Sequence, residues 1–293
     1  MPIRSMTACG WVMVLATASA ASAQSPTPRT GDPWQLRQNA ESCYLDRTFD
    51  TGAGKVELLI QSFGTNSPYH FILRGSNLPS DKDRARPARV GFGGDDAAKD
   101  AVVLVGSAGA EPMVLMMVEP PHPVTVMRWF YSYTVTRTPT IIPLDSAAEK
   151  LFFEFPGKDP ISLPLGPMQS EYAALDGCVG KLVQTWSTAA SKGSRAVTAP
   201  ELLHSQEALW HVPYPANLLL NRVNGVVELR MTVSPEGRAR DCKVQMATWV
   251  SQFGADACEK FKEEARFEPA HDSSGKPIAA LFRTSVMFII YDW

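Results

Sequence analysis

Apolar and polar residues alternate along most of the first half of the chain. Val56, Leu58 and Ile60 alternate with Glu57 and Gln61 on either side, and Tyr69, Phe71 and Leu73 with His70 and Arg74. "AVVLVG" and "MVLMMVE" are short apolar runs. Met127, Trp129, Tyr131, Tyr133 and Val135 continue the alternation, and "LFFEF" follows. Clusters of Gly, Pro, Asn and Asp bound these runs, which predicts several antiparallel strands from Trp34 to about Pro164. The charged stretch 80–89, "SDKDRARPAR", reads as a solvated loop.

The period then changes. Met168, Tyr172, Leu175, Val179, Leu182 and Trp186 recur at spacings of four and three, which predicts a helix with one apolar stripe. Pro167 stands at its start, where a missing N–H costs little. Residues 31–186 therefore form a β-rich domain that ends in a packing helix. Residues 187–204 are mostly small and polar and read as a flexible linker.

From 205 to 293 the pattern predicts a second, smaller domain. "ANLLLNR" after Tyr214-Pro215 is helix-compatible, and Gly225 ends it. Val227, Leu229, Met231 and Val233 alternate with polar residues up to the turn Ser234-Pro235-Glu236-Gly237. Cys242, Val244 and Met246 alternate after it, so the hairpin has one buried face. Cys258, Phe261 and Ala265 mark one side of a helix. Phe282, Thr284, Val286, Phe288 and Ile290 mark one face of a last strand. The fold class is α+β: an antiparallel β-rich domain, then an αββαβ domain with a three-stranded antiparallel sheet.

The first residues bear on the compartment. Arg4, the apolar stretch Met6 to Ala20 and Ala21-Ser22-Ala23 have the form of a secretory signal peptide over 1–23, cleaved after Ala23. Export to the periplasm is the expectation; the alternative is an uncleaved anchor in the inner membrane. The remaining cysteines are Cys43, Cys178, Cys242 and Cys258, an even number suited to two disulfides. Four cysteines allow three pairings, which sequence alone does not choose between. On the predicted elements Cys242 points from hairpin to helix and Cys258 from helix to hairpin, so this pair is preferred over free thiols or a metal site. Cys43–Cys178 follows by elimination.

Net charge is −2, which gives no global field for nucleic acid or anionic lipid. The histidines His70, His122, His204, His211 and His271 show no metal-type spacing. Gly106 directly precedes Ser107, which is not a nucleophile elbow. "GFGGDD", 91–96, lacks the Lys-Ser/Thr of a phosphate loop and reads as a turn; Asp95 and Asp96 read as solvated. The methionines of "MVLMMVE" read as core. No enzyme activity, cofactor, metal, nucleic acid or small-molecule substrate is expected.

Tyr214-Pro215, Gly225 before a Val-rich strand, Pro235-Glu236-Gly237-Arg238 and Arg266-Phe267-Glu268-Pro269-Ala270 come in an order that resembles the C-terminal domain of the energy-transducer TonB family, over about 205–290. Residues 31–186 resemble nothing recognised. The resemblance implies binding of envelope proteins such as outer-membrane transporters. In that family an extended segment of the partner adds beside the last strand, here about 279–290, by β-augmentation. It implies Tyr214, Pro215, Leu281, Phe282, Arg283, Thr284, Ser285 and Val286 as partner-binding residues. The chain differs from a transducer in its cleavable leader and in a folded domain where transducers carry a long Pro-rich linker. The first expectation is therefore a periplasmic interaction module, and the alternative is an anchored energy transducer.

Overall fold

A computed structural model describes residues 33–52, 54–65, 67–80, 84–120, 140–203, 214–288 and 290. The expected leader 1–23 and the alternating run 127–135 lie outside the described residues, as do His122, His204 and His211.

The first half is one large sheet. Its strands are β1 (Gln35–Gln38), β2 (Cys43–Asp50), β3 (Lys55–Ser62), β4 (Tyr69–Arg74), β5 (Arg84–Phe92), β6 (Lys99–Ala108), β7 (Glu111–Glu119), β8 (Ile141–Pro143), β9 (Lys150–Glu154) and β10 (Ile161–Pro164). Their order is β1-β2-β3-β4-β7-β6-β5-β9-β10, all antiparallel, with β8 parallel beside β7. The two ends of the sheet meet: Trp34 Nε1 and an Arg47 guanidinium nitrogen both donate to the carbonyl of Leu165, at 3.1 and 3.0 Å. Tyr69, Phe71 and Leu73 of β4, Val103 and Val105 of β6, and Phe153 of β9 share one core with helix α1 (Gln169–Ser191). The helix contributes the predicted stripe Tyr172, Leu175, Val179, Leu182 and Trp186.

Two expectations are corrected here. Residues 84–92 form a strand and not a loop, because Ala88, Val90 and Phe92 turn inward at period two. Pro87 is tolerated because β9 pairs only from Arg89 onward, so that part of β5 has a neighbour on one side. The expected linker over 187–204 is structured in part. α1 runs on to Ser191, since Ser-Thr-Ala-Ala-Ser does not break a helix, and Lys192 closes it in the left-handed conformation (φ 51°). Val197 N–H then donates to His271 O at 2.8 Å, and β11 (Glu201–Leu202) pairs with β14 (Phe267–Glu268). The segment is a strap fixed to the second domain by its backbone hydrogen bonds.

The second domain follows the predicted order: α2 (Ala216–Leu220), β12 (Gly225–Val233), β13 (Ala239–Ala247), α3 (Gln252–Glu264), β14, the short pair β15 (Ala270–His271) and β16 (Pro277–Ile278), then β17 (Ala280–Phe288). β13, β12 and β17 form the three-stranded antiparallel sheet, in that order. Val227, Leu229, Met231, Val286 and Phe288 face Phe253, Ala257 and Phe261 of α3. Both expected disulfides are present, Cys43–Cys178 with Cα atoms 6.1 Å apart and Cys242–Cys258 at 5.6 Å. These separations lie within the usual range for a bridge.

The hairpin differs from expectation in one respect. Cys242, Val244 and Met246 do not share a face. A β-bulge pairs Leu229 with Val244 but Glu228 with Met246, so Met246 crosses to the opposite side. That side is also buried: Val226 and Met287, with Met246 packed beside them, meet Ile72, Leu104, Leu115 and Met117 on the outer face of the large sheet. The small sheet is thus covered by α3 on one face and by the first domain on the other.

Candidate functional site

The predicted partner-binding residues divide into three groups. Tyr214 is a core residue. Its ring stands edge-on to Phe253 and Phe288, each at 5.5 Å, and its hydroxyl donates to the carbonyl of Val223. Burial raises its pKa above the usual 10. Pro215 precedes α2 as its N-cap. The Tyr-Pro signal is therefore a structural anchor for the entry into β12.

The other resembling motifs also meet in space. Gly237 sits at the hairpin tip with φ 70°, and its carbonyl accepts from Phe267 N–H at 3.0 Å. A Cβ there would fall 2.1 Å from Phe267 O, so glycine is required. Arg238 bridges to Arg266 beside it. The hairpin tip is pinned to the segment that leads into β17.

Thr284, Ser285 and Val286 form the second group; their side chains are buried. Thr284 and Val286 point toward α3, while Ser285 points toward the first domain. Ser285 Oγ donates to Glu228 Oε1 at 2.7 Å, and His70 Nε2 of β4 lies 2.8 Å from the same oxygen. His70 and Glu228 are almost fully buried between the two sheets. The imidazole meets the carboxyl off the line of a hydrogen bond and packs edge-on against Phe63.

Leu281, Phe282 and Arg283 are the third group, each half-buried. Leu281 packs on the first domain's core, and Phe282 stands edge-on to Phe267 at 4.8 Å. Arg283 reaches Phe63 O at 3.5 Å and Thr65 Oγ1 at 3.4 Å, and fills the space a side chain on residue 64 would need. Burial lowers its pKa, and the nearby Glu228 opposes that shift. Arg230, directly opposite it on β12, holds Glu41 with two hydrogen bonds of 2.6 and 2.8 Å and lies over the Trp186 ring. Gln245, the extra residue of the bulge, donates to Glu41 O.

The backbone of β17 is the feature these side chains leave available. One edge pairs with β12 over all nine residues, Ala280 to Phe288, with no register shift. The other edge pairs with no strand among the described residues. The opposite edge of the sheet, β13, is different. It carries two register shifts, the exposed residues Arg240, Asp241 and Lys243, and a positive φ of 49° at Asp241. Bulges and charge are the usual guards against edge pairing.

Sequence reasoning missed the whole contact between the domains. His70, Glu41, Phe63 and Trp186 carried no signal, because each is ordinary for its own strand, turn or helix. The available hint was the run "YHFIL", apolar on both faces of β4. Elsewhere, a cavity of about 680 Å³ lies between β5, β6 and β9, where Arg89 and Glu154 pair with each other at 3.0 Å. The described residues contain no cluster of metal-ligating side chains, and none of their helices is long and apolar enough to cross a membrane.

Residues 211–290 match the family described as Gram-negative bacterial TonB protein C-terminal. The match takes in every element from α2 to β17 and ends at 290; residues before 211 fall outside it. No curated protein matches the chain.

Proposed function

We propose that this chain is an exported envelope protein-interaction module whose TonB-like domain binds envelope partners by taking an extended segment along the free edge of β17. The observation that carries this reading is the asymmetry of the small sheet. β17 offers nine residues in unbroken register with an edge that no described strand pairs, whereas β13 is bulged and charged. An extended chain laid beside β17 satisfies that row of N–H and C=O groups, and the side chains of Phe282 and Leu281 select what lies next to them. The family match over 211–290 supports the same partner class, envelope proteins such as outer-membrane transporters.

Periplasmic location and removal of residues 1–23 belong to this reading, as does a binding role in place of catalysis. Capture of envelope proteins on the purified chain tests it. Wild type enriches an envelope protein, and Phe282→Pro, which disrupts the strand's hydrogen-bonding pattern, loses it. Equal capture by both would contradict the reading.

A further inference from the structure

The edge of β17 that no described strand pairs does not stand alone. Its first residues, Ala280 and Leu281, form one side of a groove of about 480 Å³. The last third of α1 forms a second side through Ser187, Thr188 and Ser191. The strap after α1 forms the third, and presents Val197, which is 61% exposed. This third wall is held at both ends. Gly193 N–H bonds back to Thr188 O at 3.1 Å, Val197 N–H donates to His271 O at 2.8 Å, and β11 pairs with β14. Arg195 is the only charged side chain among the described lining residues; the rest are small, hydroxylic or apolar, apart from Gln184.

We propose that the partner site is composite: the segment that adds to β17 runs on through this groove, held between β17 and the first domain's α1 and strap. This rests on the strand-addition reading and assigns the first domain a part in it. The occupant is an extended, uncharged stretch. Its main chain meets the free edge at Ala280 and Leu281, which only an extended backbone can pair with. Its side chains alternate, so one sits against Val197 and Leu281, while the small hydroxyl-bearing wall of α1 gives the other side room. A helix spends its backbone N–H and C=O groups on itself and would leave the β17 edge without partners. The small domain alone would therefore hold the segment less tightly than the whole chain.

The test uses octapeptides selected on the full chain from a randomised array, with affinity read by fluorescence anisotropy. Ser187→Trp and Val197→Arg each put bulk into the groove and leave β17 unchanged. Ala174→Trp, on an exposed part of α1 outside the groove, is the control. Each groove variant is expected to weaken the selected peptide by about tenfold or more, with the control within about twofold. Amides of 280–281 and 194–198 are expected to exchange more slowly with peptide bound. Groove variants that bind as wild type does, or more tightly, overturn the composite site and leave strand addition standing. Selection of no peptide at all overturns both.

Discussion

Tyr214 shows how a residue picked out by a motif can serve the core. Its position in a motif pointed to a partner surface, but its hydroxyl is used on Val223 and its ring on Phe253 and Phe288. Tyr214→Phe leaves the Val223 carbonyl without this partner and is expected to cost about 1–3 kcal/mol in denaturant unfolding, with partner binding unchanged in the folded protein. Burial also raises the pKa of Tyr69 and Tyr172, and Tyr69 donates to Asp176 at 2.6 Å, which adds to its shift. A phenol whose folded pKa lies above its unfolded value of 10 stabilises the fold fully below that pH. That contribution is lost as pH rises from 10 toward the folded values. Absorbance titration should therefore show these three phenols ionising only with unfolding, above pH 10. Early, reversible ionisation with the fold intact would contradict their burial. At the domain contact, His70→Ala leaves Glu228 buried with Ser285 as its hydrogen-bond donor. The substitution also empties the buried space beside Phe63 and is expected to cost about 3 kcal/mol in thermal melts, with His70→Phe, which refills that space, costing less.

Single elements were the most legible scale. The stripe of α1, the hairpin β12–β13 and the face of β17 all follow from periods that local sequence displays. β5 was hidden because charges and Pro87 interrupt its alternation, and the Met246 crossing because a bulge has no distinct sequence mark. The last strand was singled out only through the family resemblance, and its neighbours α1 and the strap were not legible, since they come from about a hundred residues earlier in the chain. The cysteines were legible because few pairings exist and the elements around them were right. Their removal tests element docking. The chain-entropy model gives about 3 kcal/mol for Cys242–Cys258, separated by 16 residues, and about 5 kcal/mol for Cys43–Cys178, separated by 135. Replacing each pair by serine should lower the melting temperature in that order.

At the scale of the whole molecule the two sheets are packed face to face, and the polar row Glu228, Arg230, Arg283 and Ser285 lies in that contact, opposite the apolar face that the alternation marked. A chain built this way presents β17 on a fixed platform. The exported form is expected to begin at Gln24 and to be about 4 Da lighter in intact mass than its reduced form, two hydrogens for each disulfide. A species that keeps residues 1–23 in the membrane would favour an anchored transducer. The measurement that tests strand addition most directly is hydrogen exchange across β17 with a captured envelope partner. The account predicts slower exchange at alternating amides of Leu281 to Val286, on the edge away from β12, with β13 unchanged. Protection confined to β13 or α3, with β17 unaltered, would contradict it.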